Sequence, residues 1–261
     1  MTVFKLELRQ GKTALIVWTA AIGFLLAVCI FLFPEMKGEM DTLTSVFASM
    51  GSFTAAFGMD RLSFGELSGF YAIECGNILG LGGAFFAALT AVNVLAKEEK
   101  DRTAEFLLTH PVSRGRVLAE KLCAVLAQIT AMNAVLLALS LGCMAAIGED
   151  IPWRAVLLLH LGYFLLQTEL AGVCFGISAF IRRGGPGIGL GLAAAMYFLN
   201  LISNLSSSAE FLRYVTPFAY CEGADIISSG TLDTALVLLG LGYAVAAAAA
   251  ACLHYTRKDI R

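Results

Sequence analysis

A single glutamate inside a long apolar run is the residue of this sequence with the most evident chemical capacity. Glu169 lies in the run 155–181, fourteen residues after Ala155 and twelve before Ile181. If that run crosses a bilayer, an ionised carboxylate near its centre costs about 2.5–3.5 kcal/mol, so it must face protein or water or carry a proton. His160 and Gln167 are seven residues apart and share one helical face. Glu169 is nine residues from His160, about 180° around the helix on 100° steps. These three side chains therefore do not line one site. Two roles stay open for Glu169. It can line a substrate path together with Asn133 and Asn200, or it can pair structurally with Asn133, Gln128 or Asn200 of neighbouring runs. Glu74, Asn77 and Asn93 stand near the ends of another apolar run, where polarity is cheaper and less telling.

Other chemistries find less support. Glu169, His160 and Asn200 as an acid–base set would make an intramembrane enzyme. The opposite-face geometry opposes it, and no G-x-S-x-G or H-E-x-x-H motif occurs. The seven cysteines contain no C-x-x-C pair and mostly lie in apolar runs, where cysteine acts as a small apolar residue. Three histidines, at 110, 160 and 254, are too scattered for a metal motif. The tripeptide Gly11-Lys12-Thr13 resembles the tail of a phosphate loop, but Leu6 occupies the place of its first glycine. No nucleotide site, cofactor or nucleic-acid surface is expected on this chain.

The elements that position these residues follow from composition. The 261 residues are 58% hydrophobic and 15% charged, with a mean hydropathy of +0.78; soluble proteins carry about 25% charged residues. A span needs roughly 20 apolar residues. Six runs qualify, at about 13–33, 71–96, 117–147, 155–181, 186–204 and 232–255. The expected fold is an all-α polytopic membrane protein, a single transmembrane domain over 1–261 with six spans. With both termini cytoplasmic, 14 of the 18 Lys and Arg lie inside, and only Lys37, Arg61, Arg154 and Arg213 lie outside. The positive-inside rule selects that topology. The first apolar run exceeds a signal-peptide core of about 7–15 residues, so it is expected to stay as a span.

Flanking segments add expectations. Phe4 and Leu8 share a face among charged neighbours, suggesting a cytoplasmic surface helix over 1–12. In the outer loop 34–70, Leu43, Val46, Phe47, Met50 and Phe57 suggest an amphipathic helix. The outer loop 205–231 is too apolar for a solvated loop and suggests a re-entrant or surface helical element. Gly76 with Gly80, Gly172 with Gly176, and Gly187 with Gly191 are spaced for close helix approach, within the subunit or at a dimer seam.

Between the second and third spans the sequence "AKEEKDRTAEFLLTHPVSRGRVLAEKL" places eleven charged residues in a greasy chain. Ala104, Leu107 and Leu108 form a small apolar face on a predicted polar helix. Pro111 disfavours helix at His110, and Ser113 can cap a second helix that enters span 3. This arrangement suits a docking handle over 97–116. The plainer alternatives are an ordinary charged inner loop or a lipid-resting face.

The run 98–122 resembles the stretch after the second span in permease subunits of ABC-2 type exporters. It carries an acidic residue, Thr-x-Glu, a double leucine, a Pro-Val-Ser-Arg turn and a lysine opening span 3. "GVCFGISAFIRRGGPGIGLG" and "VTPFAYCEGADIISSG" agree with the same family, so the resemblance covers nearly the whole chain. It implies that Glu98, Glu99, Thr103, Glu105, Leu107, Leu108, Pro111 and Arg114 contact an ATPase subunit. His110 departs from the aliphatic residue expected before the proline. It further implies two copies of an ABC ATPase carrying ATP and Mg, and a second permease as homodimer or heterodimer. Location in the cytoplasmic membrane also follows, with export of a peptide antibiotic, drug or other amphipathic compound. The rival reading of the whole chain is a membrane assembly or scaffold protein without transport.

Overall fold

In the computed structural model, residues 3–38, 51–97, 113–181 and 185–257 are described, and they contain helices and turns but no strand. The helices are α1 (Val3–Lys37), α2 (Ser52–Ala56), α3 (Leu67–Cys75), α4 (Gly82–Val92), α5 (Arg114–Ile147), α6 (Trp153–Ser178), α7 (Pro186–Leu205), α8 (Gly223–Ser229) and α9 (Thr234–Arg257). A π-helical turn, Gly76–Leu81, joins α3 to α4 into one segment. Six segments are long and apolar enough to cross a membrane, and they correspond to the six runs read from composition.

The first span differs from expectation. No separate surface helix occupies the N-terminus; α1 runs unbroken for 35 residues from Val3. At 1.5 Å per residue it is about 52 Å long, against roughly 30 Å of hydrocarbon. Its first turns are fixed by α5 instead of lying free. The Phe4 N–H, which a helix start leaves without an internal partner, donates to Glu120 Oε2 at 3.1 Å. The amphipathic helix expected around 43–57 falls largely outside the described residues; among those described, α2 ends just before Phe57.

α6 is the centre of the bundle and packs against α4, α5 and α9, while α1 lies on α5 and α7 on α4. Leu26, Phe33, Tyr71, Phe86, Met132 and Phe175 fill the interior. Phe24, Phe31, Val135, Phe198, Leu238 and Val245 point outward. Lipid is as apolar as leucine, so outward apolar side chains carry no penalty there. Gly172 and Gly176 let α9 approach α6: an added Cβ would lie 2.6 Å from Ala244 Cβ and 2.7 Å from Ala247 Cβ. Gly76 and Gly80 instead receive the Tyr163 ring, where an added Cβ would lie 3.0 Å from it. Gly187 and Gly191 meet nothing within 4 Å.

Successive spans alternate in direction, which sorts the charges. One end, the basic end, gathers residues 3–12, 94–97, 113–121 and 255–256. At the opposite end all four basic residues expected there are engaged. Lys37 pairs with Glu149 at 2.8 Å, and Arg61 with Asp225 at 2.6 Å. Arg154 donates to Gly230 O at 3.1 Å, and Arg213 lies 3.7 Å from both Glu210 and Asp225. The segment 205–231 forms short helical turns at this end, with Phe218 buried and Phe211 and Tyr214 exposed.

Candidate functional site

The predicted docking residues Glu98, Glu99, Thr103, Glu105, Leu107, Leu108 and Pro111 lie outside the described residues; both anchorages of their segment are described. On the leading side, the Leu95 and Ala96 N–H groups donate to Ser178 Oγ of α6 at 2.9 and 3.3 Å. Lys97 donates to Glu7 Oε2 and, at 2.7 Å, to Gln10 Oε1. On the trailing side, Ser113 Oγ caps α5 by accepting from Arg116 N. Arg114 donates to Tyr255 O and Thr256 O at 3.3 Å each.

Seven residues further along α5, Lys121 is fully buried. It donates to Glu7 Oε1 at 2.6 Å and to Val94 O at 2.8 Å. A buried ammonium needs a carboxylate and full hydrogen bonding to persist. Glu7 supplies the carboxylate, bridging Lys97 before the segment and Lys121 after it. One side chain of α1 thereby clamps both roots of the charged segment. Sequence reasoning missed this: Glu7 counted only as one of the charged neighbours of Phe4 and Leu8. A signal was present, because Lys121 shares a face with Val117, Leu118, Ala124 and Val125, all buried. Gly11, of the Gly-Lys-Thr tripeptide, lies within α1, and an added Cβ there would meet Gln128 Oε1 at 2.1 Å. Close packing explains that glycine.

Among the described residues, His160, Gln167 and Glu169 of α6 have separate partners. Tyr71 Oη and His160 Nε2 lie 2.8 Å apart. Asn133 Nδ2 donates to Gln167 Oε1 at 2.7 Å. Glu169 is buried and accepts from Tyr220 Oη at 3.1 Å, with Gly240 of α9 against its carboxylate. Glu169, Asn133 and Asn200 are thus not brought together. The pairing expected with Asn133, Gln128 or Asn200 is replaced by Tyr220, because Glu169 faces α9 and the turn 219–221.

Asn200 instead belongs to a cluster at the end opposite the basic one. Asn200 and Asn204, one helical turn apart on α7, direct their Nδ2 groups to Glu222 Oε2 at 3.5 and 3.0 Å. Asn204 also donates to Ala56 O at 3.1 Å. Glu222 Oε1 is seated against Gly58, whose φ of 64° favours glycine and whose missing Cβ leaves room for that oxygen. Burial pushes the Glu222 carboxyl above its usual range, against weaker lowering by Asn204 and Arg61.

No curated protein matches the chain. The profile described as ABC-2 family transporter protein matches residues 1–260. A six-span helical bundle with a clamped, charged connection between spans 2 and 3, matched from end to end, belongs to the ABC-2 family of transporter proteins as a permease component of an ABC transporter.

Proposed function

We propose that this permease works in the cytoplasmic membrane as an exporter subunit. In this reading two ABC ATPase subunits, which hold the ATP and Mg, drive a pair of permeases, and the segment 97–116 receives their motion. The observation that carries it is the Glu7 clamp. A docking segment transmits force only if its roots are tied to the bundle, and Lys97 and Lys121 are both tied to one carboxylate of α1. Ser178 and the Arg114 contacts extend the anchorage to α6 and α9. Movement of the segment would then be shared by five of the six spans. Low charge within the spans suits an amphipathic cargo. An acid–base site made of His160 and Glu169 is disfavoured, because the two are separately partnered, by Tyr71 and Tyr220.

The test is co-purification, in detergent, with an ABC ATPase encoded beside this chain. Wild type is compared with a variant carrying Glu105→Ala, Leu107→Ala and Leu108→Ala. The expected result is ATPase recovered with wild type and lost from a variant that remains monodisperse. Equal recovery with both would move the docking site elsewhere, and no recovery with either would remove the proposed coupling to that ATPase.

A further inference from the structure

The face of α1 turned away from Glu7 carries an apolar groove and a row of cations in line with it. Leu15, Ile16, Gly23 and Phe24 of α1 and Ala131 and Leu139 of α5 are among the residues lining the groove, whose volume is about 380 Å³. Ile16 is 54% exposed and Phe24 68%, so the groove opens to the outside of the bundle. Toward the basic end the same stripe of α1 becomes charged. Lys5, Arg9, Lys12, Ile16, Thr19 and Gly23 succeed one another at intervals of four, three, four, three and four residues, which is one helical face. Lys5, Arg9 and Lys12 are all exposed, and none of them forms an ion pair among the described residues. Glu7, the one acidic residue of positions 1–34, lies about 140–160° around the helix from them and is taken up by Lys97 and Lys121. Glu120, beside the start of α1, is paired with Arg116 at 2.9 Å.

Depth and charge identify the occupant. From Leu15 to Phe24 the groove runs about 14 Å along α1, at about 1.5 Å per residue. Half of a roughly 30 Å hydrocarbon core is about 15 Å. The apolar run of α1 starts at residue 13, so the groove fills one leaflet and ends where Lys12 meets the headgroup level. An acyl chain is long and slim enough to lie there. A helix of a second copy is about 10–12 Å across and would need a seam through both leaflets. At the headgroup level, cations without acidic neighbours attract a headgroup of net negative charge, each contributing roughly fivefold in affinity. A zwitterionic headgroup brings its own cation and gains less.

We propose that this face of α1 binds an anionic phospholipid from the leaflet at the basic end. The headgroup phosphate sits against Arg9 and Lys12, with Lys5 beyond it, and one acyl chain lies in the groove between α1 and α5. Such a lipid ties the start of α1, and with it the Glu7 clamp, to the membrane surface. The binding needs neither an ATPase nor cargo, so it stands apart from the transport reading.

The test is native mass spectrometry of the full chain, released from a maltoside detergent after titration with dioleoylphosphatidylglycerol. Dioleoylphosphatidylcholine has the same chains under a neutral head, and glycerol 1-phosphate has a phosphate head without chains; both serve as comparison probes. Saturable binding of phosphatidylglycerol is expected, tighter than that of phosphatidylcholine, with no glycerol phosphate retained. Arg9→Gln combined with Lys12→Gln should erase that preference, at roughly fivefold for each lost cation. Ala131→Phe, which fills the groove and keeps the cations, should weaken both lipids alike. All three positions are exposed, so the variants leave the packed interior as it is. Equal affinity of wild type for the two lipids, or a preference that survives the double charge variant, would overturn the proposal. So would lipid binding unchanged by Ala131→Phe, or a dimer of wild-type chains that this substitution dissociates, which would assign the groove to a second copy. The titration needs no ATPase, so its failure is distinct from a failed co-purification.

Discussion

Lys121 Nζ lies 2.6 Å from Glu7 Oε1 with the lysine side chain fully excluded from solvent. The pair joins α1 to α5 where the docking segment re-enters the bundle. Removing one member of a buried pair leaves the other charged and unsolvated, at a cost of about 3–5 kcal/mol. Lys121→Met is therefore expected to lower the thermal midpoint in detergent sharply. Glu7→Leu should do the same, since it strands Lys121. The double variant should recover much of the loss, because Lys97 is partly exposed and can turn to water. A double variant as unstable as the sum of the singles would show that the two side chains act independently.

Gly172 and Gly176 should tolerate no side chain. Alanine at either position would press on Ala244 or Ala247 of α9, including backbone atoms at 2.9–3.3 Å. Overpacking of this kind costs about 1–3 kcal/mol. Gly187→Ala and Gly191→Ala, in open surroundings, should leave subunit stability within about 0.5 kcal/mol. Thermal midpoints of the four single variants check the contrast.

The same glycines explain what was legible in the sequence. Span number follows from a local quantity, run length, and matches the bundle, while the placement of Lys and Arg gives the expected orientation. Spacing alone marked three glycine pairs as contact points, but not their neighbours: Gly172 and Gly176 meet a helix, Gly76 and Gly80 a tyrosine ring, Gly187 and Gly191 nothing. Partner choice is a tertiary property. Glu169 could be placed opposite His160 from helical angle, yet its partner Tyr220 lies in a turn 51 residues away. Glu7 was hidden for a related reason. Its charged neighbours resemble a surface helix, and only Lys121 and Lys97, 114 and 90 residues further on, give it a reason to be buried.

Glu222 should make the segment around it sensitive to pH. Burial raises its folded pKa above the unfolded value, so the folded state binds the proton more tightly. The sign follows: stability is fully present below the unfolded carboxylate pKa of about 4.3 and falls as pH rises to the raised folded value. Arg61 and Asp225 act on the same group in opposite directions and set the width of that window. Amide exchange protection of residues 216–226 should decrease across it, after correction for intrinsic exchange. Glu222→Gln should flatten the dependence; an unchanged profile in that variant would assign the effect to another group.

Glu169 allows the sharpest separation of structure from transport. Tyr220 Oη donates to its carboxylate, and the pair is enclosed by α9. A glutamine keeps an acceptor oxygen for Tyr220 and removes a buried ionisable group, so Glu169→Gln should fold as well as wild type or better. Glu169→Leu leaves the buried Tyr220 hydroxyl unpaired, at a cost of about 1–3 kcal/mol, and Tyr220→Phe should relieve that cost in the double variant. If Glu169 serves only to hold the 219–221 turn to α6, ATPase activity of the assembled complex in liposomes should survive Glu169→Gln with its stimulation by cargo intact. Loss of that stimulation in a variant of unchanged thermal midpoint would place the carboxyl group on the substrate path, because the hydrogen bond to Tyr220 is conserved in glutamine and only the ionisable group has gone.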